Sequence, residues 1–314
     1  MSAPEAAPPE ILCLGEPMLE FNQLPPDEKG RALYLEGHGG DTSNAAIAAA
    51  RAGARAGYIT AIGRDAPGDS FMALWRREGV DAGTVIRRGD APTGIYFVKH
   101  GPDGHEFTFY RAGSAASRMT PEEMPEQAIR RAKVLHLSGI SQAISTSAAD
   151  ACFRAMEIAR EAGVTVSYDT NLRRALWPMP RAAATIHAAL RMADLAFPSQ
   201  DDATALTGLT EPDAIIDFYL ELVPRVILKL GKAGAVVATR EGRTALPGRQ
   251  VKAVDATGAG DTFAGNFLAR FVAGDSLEDA ARYANAAAAL ATTGYGAVAP
   301  MPKAEAVRGF LEEK

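Results

Sequence analysis

Short apolar runs alternate along this chain with longer alanine-rich segments in which apolar residues recur every three or four positions. The short runs are bounded by Gly, Asp or Pro, as buried strands are. The pattern predicts seven strands, within 10–16, 56–63, 133–139, 164–170, 194–199, 226–231 and 234–239. It predicts helices at 43–51, 68–78, 148–161, 181–192, 261–272 and 277–292. Such an alternation favours an α/β fold with one wide, mostly parallel sheet.

Residues 92–111 interrupt this alternation and predict a β-hairpin. Two extended arms flank the sequence GPDG at 101–104, and Pro and Gly supply the backbone angles that a chain reversal requires. Both faces carry bulky side chains, and we predict Phe107 and Phe109 on the face of Phe97. The alternative is an edge extension of the main sheet.

The hairpin and the arm before the first helix predict a small β-sheet lid built from segments about 18–38 and 91–112. The lid is inserted into a single domain spanning 10–314, and residues 1–9 are expected to be a disordered tail. One face of the lid would cover a site. The other could contact a second subunit, which favours a homodimer or a higher homo-oligomer.

Composition excludes several classes of function. The formal net charge of −5 comes with scattered Lys and Arg, so we expect neither a nucleic-acid nor a membrane partner. No apolar run approaches the roughly 18 residues of a membrane span, and the first residues lack the pattern of a signal peptide. Cys13 and Cys152 form no CxxC pair, which favours a reducing, cytoplasmic location.

The sequence VDATGAGDTFAGNF at 254–267 carries the main chemical signal. Its apolar periodicity predicts a helix that starts near Asp261, where unpaired N–H groups and the helix dipole favour an anion. Gly258 and Gly260 have no Cβ, so a ligand can approach their backbone closely. We therefore predict that the amides of Gly258, Ala259, Gly260 and Asp261 converge on one anion.

Asp261 within such an anion site is suited to accept a proton from a hydroxyl that attacks a phosphate. Phosphoryl transfer depends mainly on positioning and on stabilisation of charge, and this loop would supply a base, donors and a dipole together. We predict Asp261 as the catalytic base. The alternative is that its side chain only caps the helix.

Two motifs together resemble the ribokinase-like, or PfkB, carbohydrate kinases. DATGAGDTFAGNF is similar to the C-terminal signature of that family, and GHGGDTSNAAIAAARAGARAGYITAIGRDAPG at 37–68 is similar to its N-terminal signature. The resemblance spans residues 11–302. It implies a ribokinase-like three-layer fold with a β lid, and transfer of phosphate from ATP, with Mg²⁺, to a sugar hydroxyl.

Local stretches narrow the resemblance to the 2-keto-3-deoxygluconate kinase branch. These are GGDTSN at 39–44, LHLSGIS at 135–141, YDTNLRRALW at 168–177 and GAVAPMP at 296–302. A sugar acid carries a carboxylate that a guanidinium can bind through two hydrogen bonds. Arg173 and Arg111 are the predicted partners of that carboxylate, although either could be a surface or structural residue.

The resemblance also implies further site residues. Those matching substrate-binding positions are Gly40, Asp41, Asn44, Tyr96 and Tyr110. Those matching the nucleotide site are Lys229, Gly231, Gly234, Thr257, Gly258, Gly260 and Asn285. Residues 41–43 could instead cap a helix, Glu20 is either a sugar-binding acid or a solvated lid residue, and Asn285 could be a surface polar side chain.

One motif departs from the family. The Asn-x-x-Glu sequence that helps to arrange magnesium appears here as SQDD, with Ser199 and Asp202 at the Asn and Glu positions. Asp202 is therefore predicted as an indirect metal residue. No GxxxxGK[ST] sequence occurs, so Mg²⁺ is expected mainly on ATP phosphates and water.

Three other functions compete with a sugar-acid kinase. A neutral-sugar kinase such as a fructokinase would not depend on Arg173. A dinucleotide-dependent oxidoreductase would carry GxGxxG after the first strand, where this chain has GEPMLEF. A catalytically silent sugar sensor would not need Asp261.

Overall fold

The structure is a computed structural model and describes residues 7–101 and 104–312. Its strands in chain order are β1 (Ile11–Leu14), β2 (Met18–Leu24), β3 (Leu33–Gly39), β4 (Ala56–Ile59), β5 (Ala61–Gly63), β6 (Ile86–Arg88), β7 (Gly94–Gly101), β8 (Gly104–Tyr110), β9 (Val134–Ser138), β10 (Thr165–Asp169), β11 (Leu195–Ala196), β12 (Val226–Lys229), β13 (Gly234–Ala238) and β14 (Arg243–Pro247).

Its helices in chain order are α1 (Asp41–Arg51), α2 (Ala66–Glu78), α3 (Glu126–Arg131), α4 (Gly139–Ala143), α5 (Thr146–Glu161), α6 (Met179–Leu190), α7 (Gln200–Thr207), α8 (Pro212–Leu220), α9 (Ala259–Ala273), α10 (Leu277–Ala291) and α11 (Ala304–Glu312). Each predicted helix corresponds to an observed one with shifted ends. The helix α9 begins two residues earlier than predicted, because Gly258 adopts a left-handed conformation and forms the N-cap.

The main sheet has the strand order β14-β13-β12-β11-β10-β9-β1-β4. The six neighbouring strands β12, β11, β10, β9, β1 and β4 run parallel. Strands β13 and β14 are added at one edge through antiparallel pairing. All seven predicted runs contribute to it, so the predicted α/β class is confirmed. The run 56–63 does not form one strand, because β5 leaves the main sheet and pairs with β6. The exposed edge strand β14 was not predicted.

Two apolar clusters cover the two faces of this sheet. Successive strand residues alternate between them, as Ile11 and Leu12 of β1 do, because side chains alternate across a strand. One cluster is closed by α1, α2, α9 and α10, and the other by α5, α6, α7 and α8. The result is the predicted three-layer arrangement. No helix among the described residues is long and apolar enough to cross a membrane.

The second sheet, here called the small sheet, has the order β3-β2-β7-β8. Within the described residues it shares no ladder with the main sheet, so the edge-extension alternative is wrong. Its strands match the predicted segments 18–38 and 91–112, except that β3 ends one residue later, at Gly39. Gly101 pairs with Gly104, and Pro102 and Asp103 of the predicted turn lie outside the described residues.

The face assignment within the predicted hairpin is wrong. Tyr96 pairs with Phe109 and Val98 pairs with Phe107, so both phenylalanines share the face of Tyr96. Phe97 lies on the other face, beside Tyr110. The period-2 rule fixes faces within one strand, whereas the pairing register relates two strands, and only the structure shows the register.

Candidate active site

The site forms at the carboxyl edge of the main sheet, where parallel strands end together. Asp169 is the last residue of β10, and Lys229 is the last residue of β12. The Lys229 ammonium donates to Asp169 Oδ2 at 2.5 Å, and both side chains are largely buried. The ion pair therefore fixes the Lys229 ammonium at this edge of the sheet.

Asp261 lies in the first turn of α9 and faces the N-terminal part of α1. Its Oδ2 accepts a hydrogen bond of 2.9 Å from Asn44 Nδ2, and Asn44 is buried. The cap of α9 is Gly258, with no side-chain capping bond, so the helix-cap alternative is wrong. Burial and then the charge of Asp41 raise the pKa of Asp261 to about 7, against the hydrogen bond from Asn44.

The glycine loop places backbone next to this carboxylate. Gly258 has a φ of 74°, and a Cβ there would lie 3.0 Å from the Ala297 side chain. A Cβ on Gly260 would lie 3.5 Å from Lys229 Nζ, so the ammonium sits beside the loop. The Ala259 amide donates to Ala256 O at 3.1 Å and is thus engaged locally. Of the four amides predicted to converge on an anion, those of Gly260 and Asp261 lie in the first turn of α9.

Asp41 is the first residue of α1 and is held from two sides. Asn171 Nδ2 donates to its Oδ2 at 3.0 Å, and the Ser138 hydroxyl makes a short hydrogen bond to the same oxygen. Gly40 is the N-cap and no side chain caps α1, so the capping alternative for 41–43 is wrong. Burial raises the pKa of Asp41. Its Oδ1 is buried and has no partner among the described residues, which leaves an acceptor for a ligand hydroxyl.

Arg173 follows β10 by four residues and is exposed. Its Nη1 donates to Leu172 O at 3.0 Å, and no ion pair involves it within the part of the chain that the structure describes. Its charge stabilises the ionised form of Asp41, opposing the increase in the pKa of that group. Arg173 is therefore a cation at the edge of the site with its charge uncompensated by a direct contact.

Arg111 is in a different state. Its Nε donates to Glu16 Oε2 at 2.8 Å, and its Nη2 contacts the same oxygen more closely. The Glu16 side chain is fully buried. Arg111 is thus paired inside the protein, and its charge is compensated before any substrate arrives.

The two predicted tyrosines of the small sheet lie on opposite faces. Tyr96 is buried and its hydroxyl makes a short hydrogen bond to Glu20, which is itself only 7% exposed. The solvated alternative for Glu20 is therefore wrong. Burial, with the charges of Glu20 and Asp261, raises the pKa of Tyr96. A Cβ on Gly39, two residues before Asp41, would lie 2.6 Å from the Tyr96 hydroxyl, so this face lies on the side of the N-terminus of α1. Tyr110 is 62% exposed on the face of Phe97, so the structure does not bring it to Tyr96.

The predicted nucleotide residues lie around β13 and the glycine loop. Gly231 and Gly234 have φ values of 57° and 104°, and a Cβ on Gly234 would lie 2.1 Å from Leu246 O. Asn285 donates to the same carbonyl at 3.4 Å and is buried, so the surface-polar alternative is wrong. Thr257 is exposed, and its hydroxyl donates to Asp255 Oδ1 at 2.7 Å.

The departing SQDD motif has a structural role. Ser199 caps α7 by accepting the Asp202 amide at 3.1 Å. Asp202 Oδ2 accepts the Leu172 amide at 3.1 Å and the Thr170 hydroxyl at 3.3 Å, which ties down the loop that leads to Arg173. Burial and then the charge of Asp169 raise the pKa of Asp202. No cluster of three acidic, His or Cys side chains suited to a metal occurs among the described residues.

Sequence reasoning missed four side chains that shape the site: Asp169, Ser138, Asn171 and Glu16. Asp169 and Ser138 each end a parallel strand, and that position alone is a signal for a site. Asn171 has a φ of 30°, which no sequence pattern indicated. Its strained backbone orients the amide that holds Asp41.

A model of the pfkB family carbohydrate kinases matches residues 9–304. The chain belongs to this family. The carbohydrate kinase activity predicted from the two motifs is therefore confirmed at the level of the family, and the oxidoreductase alternative is wrong. Family membership explains why a carboxylate, a glycine loop and an ammonium converge at one edge of the sheet, because phosphoryl transfer needs a base and charge stabilisation together.

Relatives of two substrate classes are equally similar to this kinase. Fructokinase-1 from Oryza sativa subsp. japonica is 36% identical over 318 residues, which cover 96% of this chain and 97% of the relative. 2-Dehydro-3-deoxygluconokinase from Bacillus subtilis (strain 168) is 36% identical over 285 residues, which cover 89% and 88%. The crystal structure of a fructokinase with bound ATP from Xylella fastidiosa matches with a TM-score of 0.88 and 26% identity, covering 96% and 98% of the two chains.

Proposed function

We propose that this kinase transfers the γ-phosphate of ATP to the terminal hydroxyl of a sugar acid, 2-keto-3-deoxygluconate, which is the same compound as 2-dehydro-3-deoxygluconate. The product would be 2-keto-3-deoxy-6-phosphogluconate. The observation that carries the proposal is the position of Asp261, a carboxylate with a pKa of about 7 beside the glycine loop. A base whose pKa lies near the working pH combines a large ionised fraction with a useful proton affinity.

The chemical step follows from these side chains. Asp261 accepts the proton of the terminal hydroxyl while that oxygen forms a bond to the γ-phosphorus. The bond from the γ-phosphorus to the bridging oxygen breaks, and its electron pair leaves with ADP. The Gly260 and Asp261 amides and Lys229 stabilise the negative charge on the transferred group.

The nucleotide would lie on the side of the loop that carries Lys229, Gly231, Gly234, Thr257 and Asn285. The ATP-bound relative supports ATP as the donor. Mg²⁺ supplies charge neutralisation on the phosphates when it is bound. Because Asp202 already accepts two protein hydrogen bonds and no cluster of three metal-ligating side chains occurs in the described chain, the residues present fit an ion carried by phosphates and waters, which Asp202 would orient indirectly.

The sugar would lie on the side of Asp41 and Asn44. The unpartnered Asp41 Oδ1 supports a role in accepting a sugar hydroxyl, and Gly40 keeps the chain close at this point. Arg173 supports an acidic substrate, because its charge has no ion-pair partner among the described residues and a bidentate contact with a carboxylate would supply one.

A neutral-sugar kinase is the second candidate, and the Arg111–Glu16 pair favours it. That pair removes one of the two cations predicted for a carboxylate. The small sheet would act as the lid in either case, with Tyr96 on the site face and Tyr110 on the far face. Exposed apolar side chains lie on both faces of the small sheet, Tyr110 on the far face and Phe107, Phe109 and Leu35 on the face of Tyr96, and they support a homodimer through this sheet.

A panel of substrates with MgATP tests the proposal through the release of ADP. We expect high turnover with 2-keto-3-deoxygluconate, lower turnover with D-fructose, and phosphate on the terminal hydroxyl of the product. Asp261→Asn should remove most turnover and leave binding of both substrates nearly intact. Equal turnover of wild type and variant would refute the base, and a preference for D-fructose would select the neutral-sugar candidate.

A further inference from the structure

Glu16 lies where the chain passes between the main sheet and the small sheet. The chain makes this passage after β1, after β3, before β7 and after β8. Glu16 belongs to the first passage, and it contacts the other three. The sequence analysis did not single out this residue.

The contacts at the second and third passages are made through glycines. A Cβ on Gly40, between β3 and α1, would lie 2.5 Å from the Glu16 carbonyl oxygen. A Cβ on Gly94, the first residue of β7, would lie 3.1 Å from Glu16 Oε1. Each passage therefore runs directly against Glu16, and only a residue without a side chain fits there without displacement.

The fourth passage supplies hydrogen-bond donors. Arg111 directs its Nε and Nη2 at Glu16 Oε2, and the Ser114 hydroxyl makes a short hydrogen bond to Oε1. The Glu16 carboxylate is fully buried and the Arg111 side chain is 15% exposed. Burial raises the pKa of Glu16, and the Arg111 charge opposes that shift. A buried carboxylate with three donors is held in one geometry, because any other would leave a charge unpaired.

We infer that Glu16 is a positioning residue for the kinase reaction. It fixes all four passages between the main sheet and the small sheet, and it thereby sets the positions of Glu20 and Tyr96 over the sugar site. Glu20 follows Glu16 by four residues on β2, and Tyr96 follows Gly94 by two on β7. A displacement of the chain at Glu16 or Gly94 would therefore also displace Glu20 and Tyr96. The inference depends on the kinase activity of the family and not on which sugar is the substrate.

Glu16→Gln tests the inference, because it keeps the shape of the side chain and removes its charge. We expect the KM for the sugar to rise about tenfold while the KM for ATP changes by less than about twofold. ATP hydrolysis without sugar should rise relative to phosphorylation, because a loosely held small sheet excludes water less well. Amide hydrogen exchange should accelerate in β2, β3, β7 and β8 and stay unchanged in β9 and β10.

Glu78→Gln is the matched control. Glu78 makes a similar largely buried pair with Arg51, at 2.8 and 3.0 Å, at the far end of α1 from the site. Glu78→Gln should lower the melting temperature, and it should not raise the KM for the sugar relative to the KM for ATP. If Glu16→Gln does not fold, Ser114→Ala replaces it, since it removes one donor only and should move the same readouts less.

The inference is overturned if a folded Glu16→Gln variant keeps the wild-type KM for the sugar and the wild-type rate of amide hydrogen exchange in the small sheet. It is also overturned if exchange accelerates equally in the small sheet and in the main sheet. The exchange experiment needs no substrate. If neither 2-keto-3-deoxygluconate nor D-fructose is turned over by the wild type, the proposed substrates fail, and the exchange comparison still decides the role of Glu16.

Discussion

Replacing Asp261, the proposed catalytic base, should make this protein more stable while it removes activity. Asp261 ionises near pH 3.8 in the unfolded chain and near pH 7 in the folded one, so the unfolded state loses its proton first as the pH rises. The stability of the wild type therefore falls between these two values and stays low above pH 7. Asp261→Asn has no proton to lose, and its amide can still accept the hydrogen bond from Asn44.

The magnitude follows from the two pKa values. A carboxyl pKa raised from 3.8 to about 7 corresponds to about 4 kcal/mol at full ionisation. Asp261 is half-buried, and solvent screening reduces this to about 2 kcal/mol. We expect Asp261→Asn to raise the free energy of unfolding by about 2 kcal/mol at pH 8 and by about 1 kcal/mol at pH 5.

Urea unfolding at both pH values, followed by circular dichroism, measures the difference. Asp150→Asn on the exposed surface of α5 is the control and should change stability by less than about 0.5 kcal/mol at either pH. A variant that is less stable than the wild type at pH 8, or a gain that does not depend on pH, would show that the site does not raise the pKa of Asp261.

Four further predictions concern activity and the loop. The kcat/KM of the wild type for the sugar should rise with pH and level off above about 7, because Asp261 must be ionised, and a flat profile from pH 5.5 to 9 would contradict this. Arg173→Ala should cost about 2 to 5 kcal/mol in kcat/KM for 2-keto-3-deoxygluconate and leave D-fructose nearly unaffected, as parallel assays would show. Lys229→Met should lower kcat and destabilise the fold by about 3 to 5 kcal/mol, because Asp169 is left buried without its partner; turnover and urea unfolding test it. Gly258→Ala should destabilise by about 1 to 2 kcal/mol, since its φ of 74° disfavours a side chain, and a neutral effect in the same unfolding assay would argue against this.

The sequence alone determined the main layers of this protein. The periodicity of apolar residues identified every parallel strand of the main sheet and six helices. Burial of one face against the sheet fixes the spacing of apolar residues, and this spacing can be read from the sequence. The glycine loop and Asp261 were also visible, since a helix start and its small residues are consecutive in the chain. The exposed strand β14 was not predicted, because it contains few apolar residues.

Only the tertiary structure decided how distant residues meet. It paired Arg111 with Glu16 across 95 positions and Lys229 with Asp169 across 60, so two predicted ligand cations proved to have internal partners. It also put Phe107 and Phe109 on the face of Tyr96, through a register that alternation within one strand cannot specify. Charge pairing and strand register depend on distances between segments, and those distances exist only once the chain has folded.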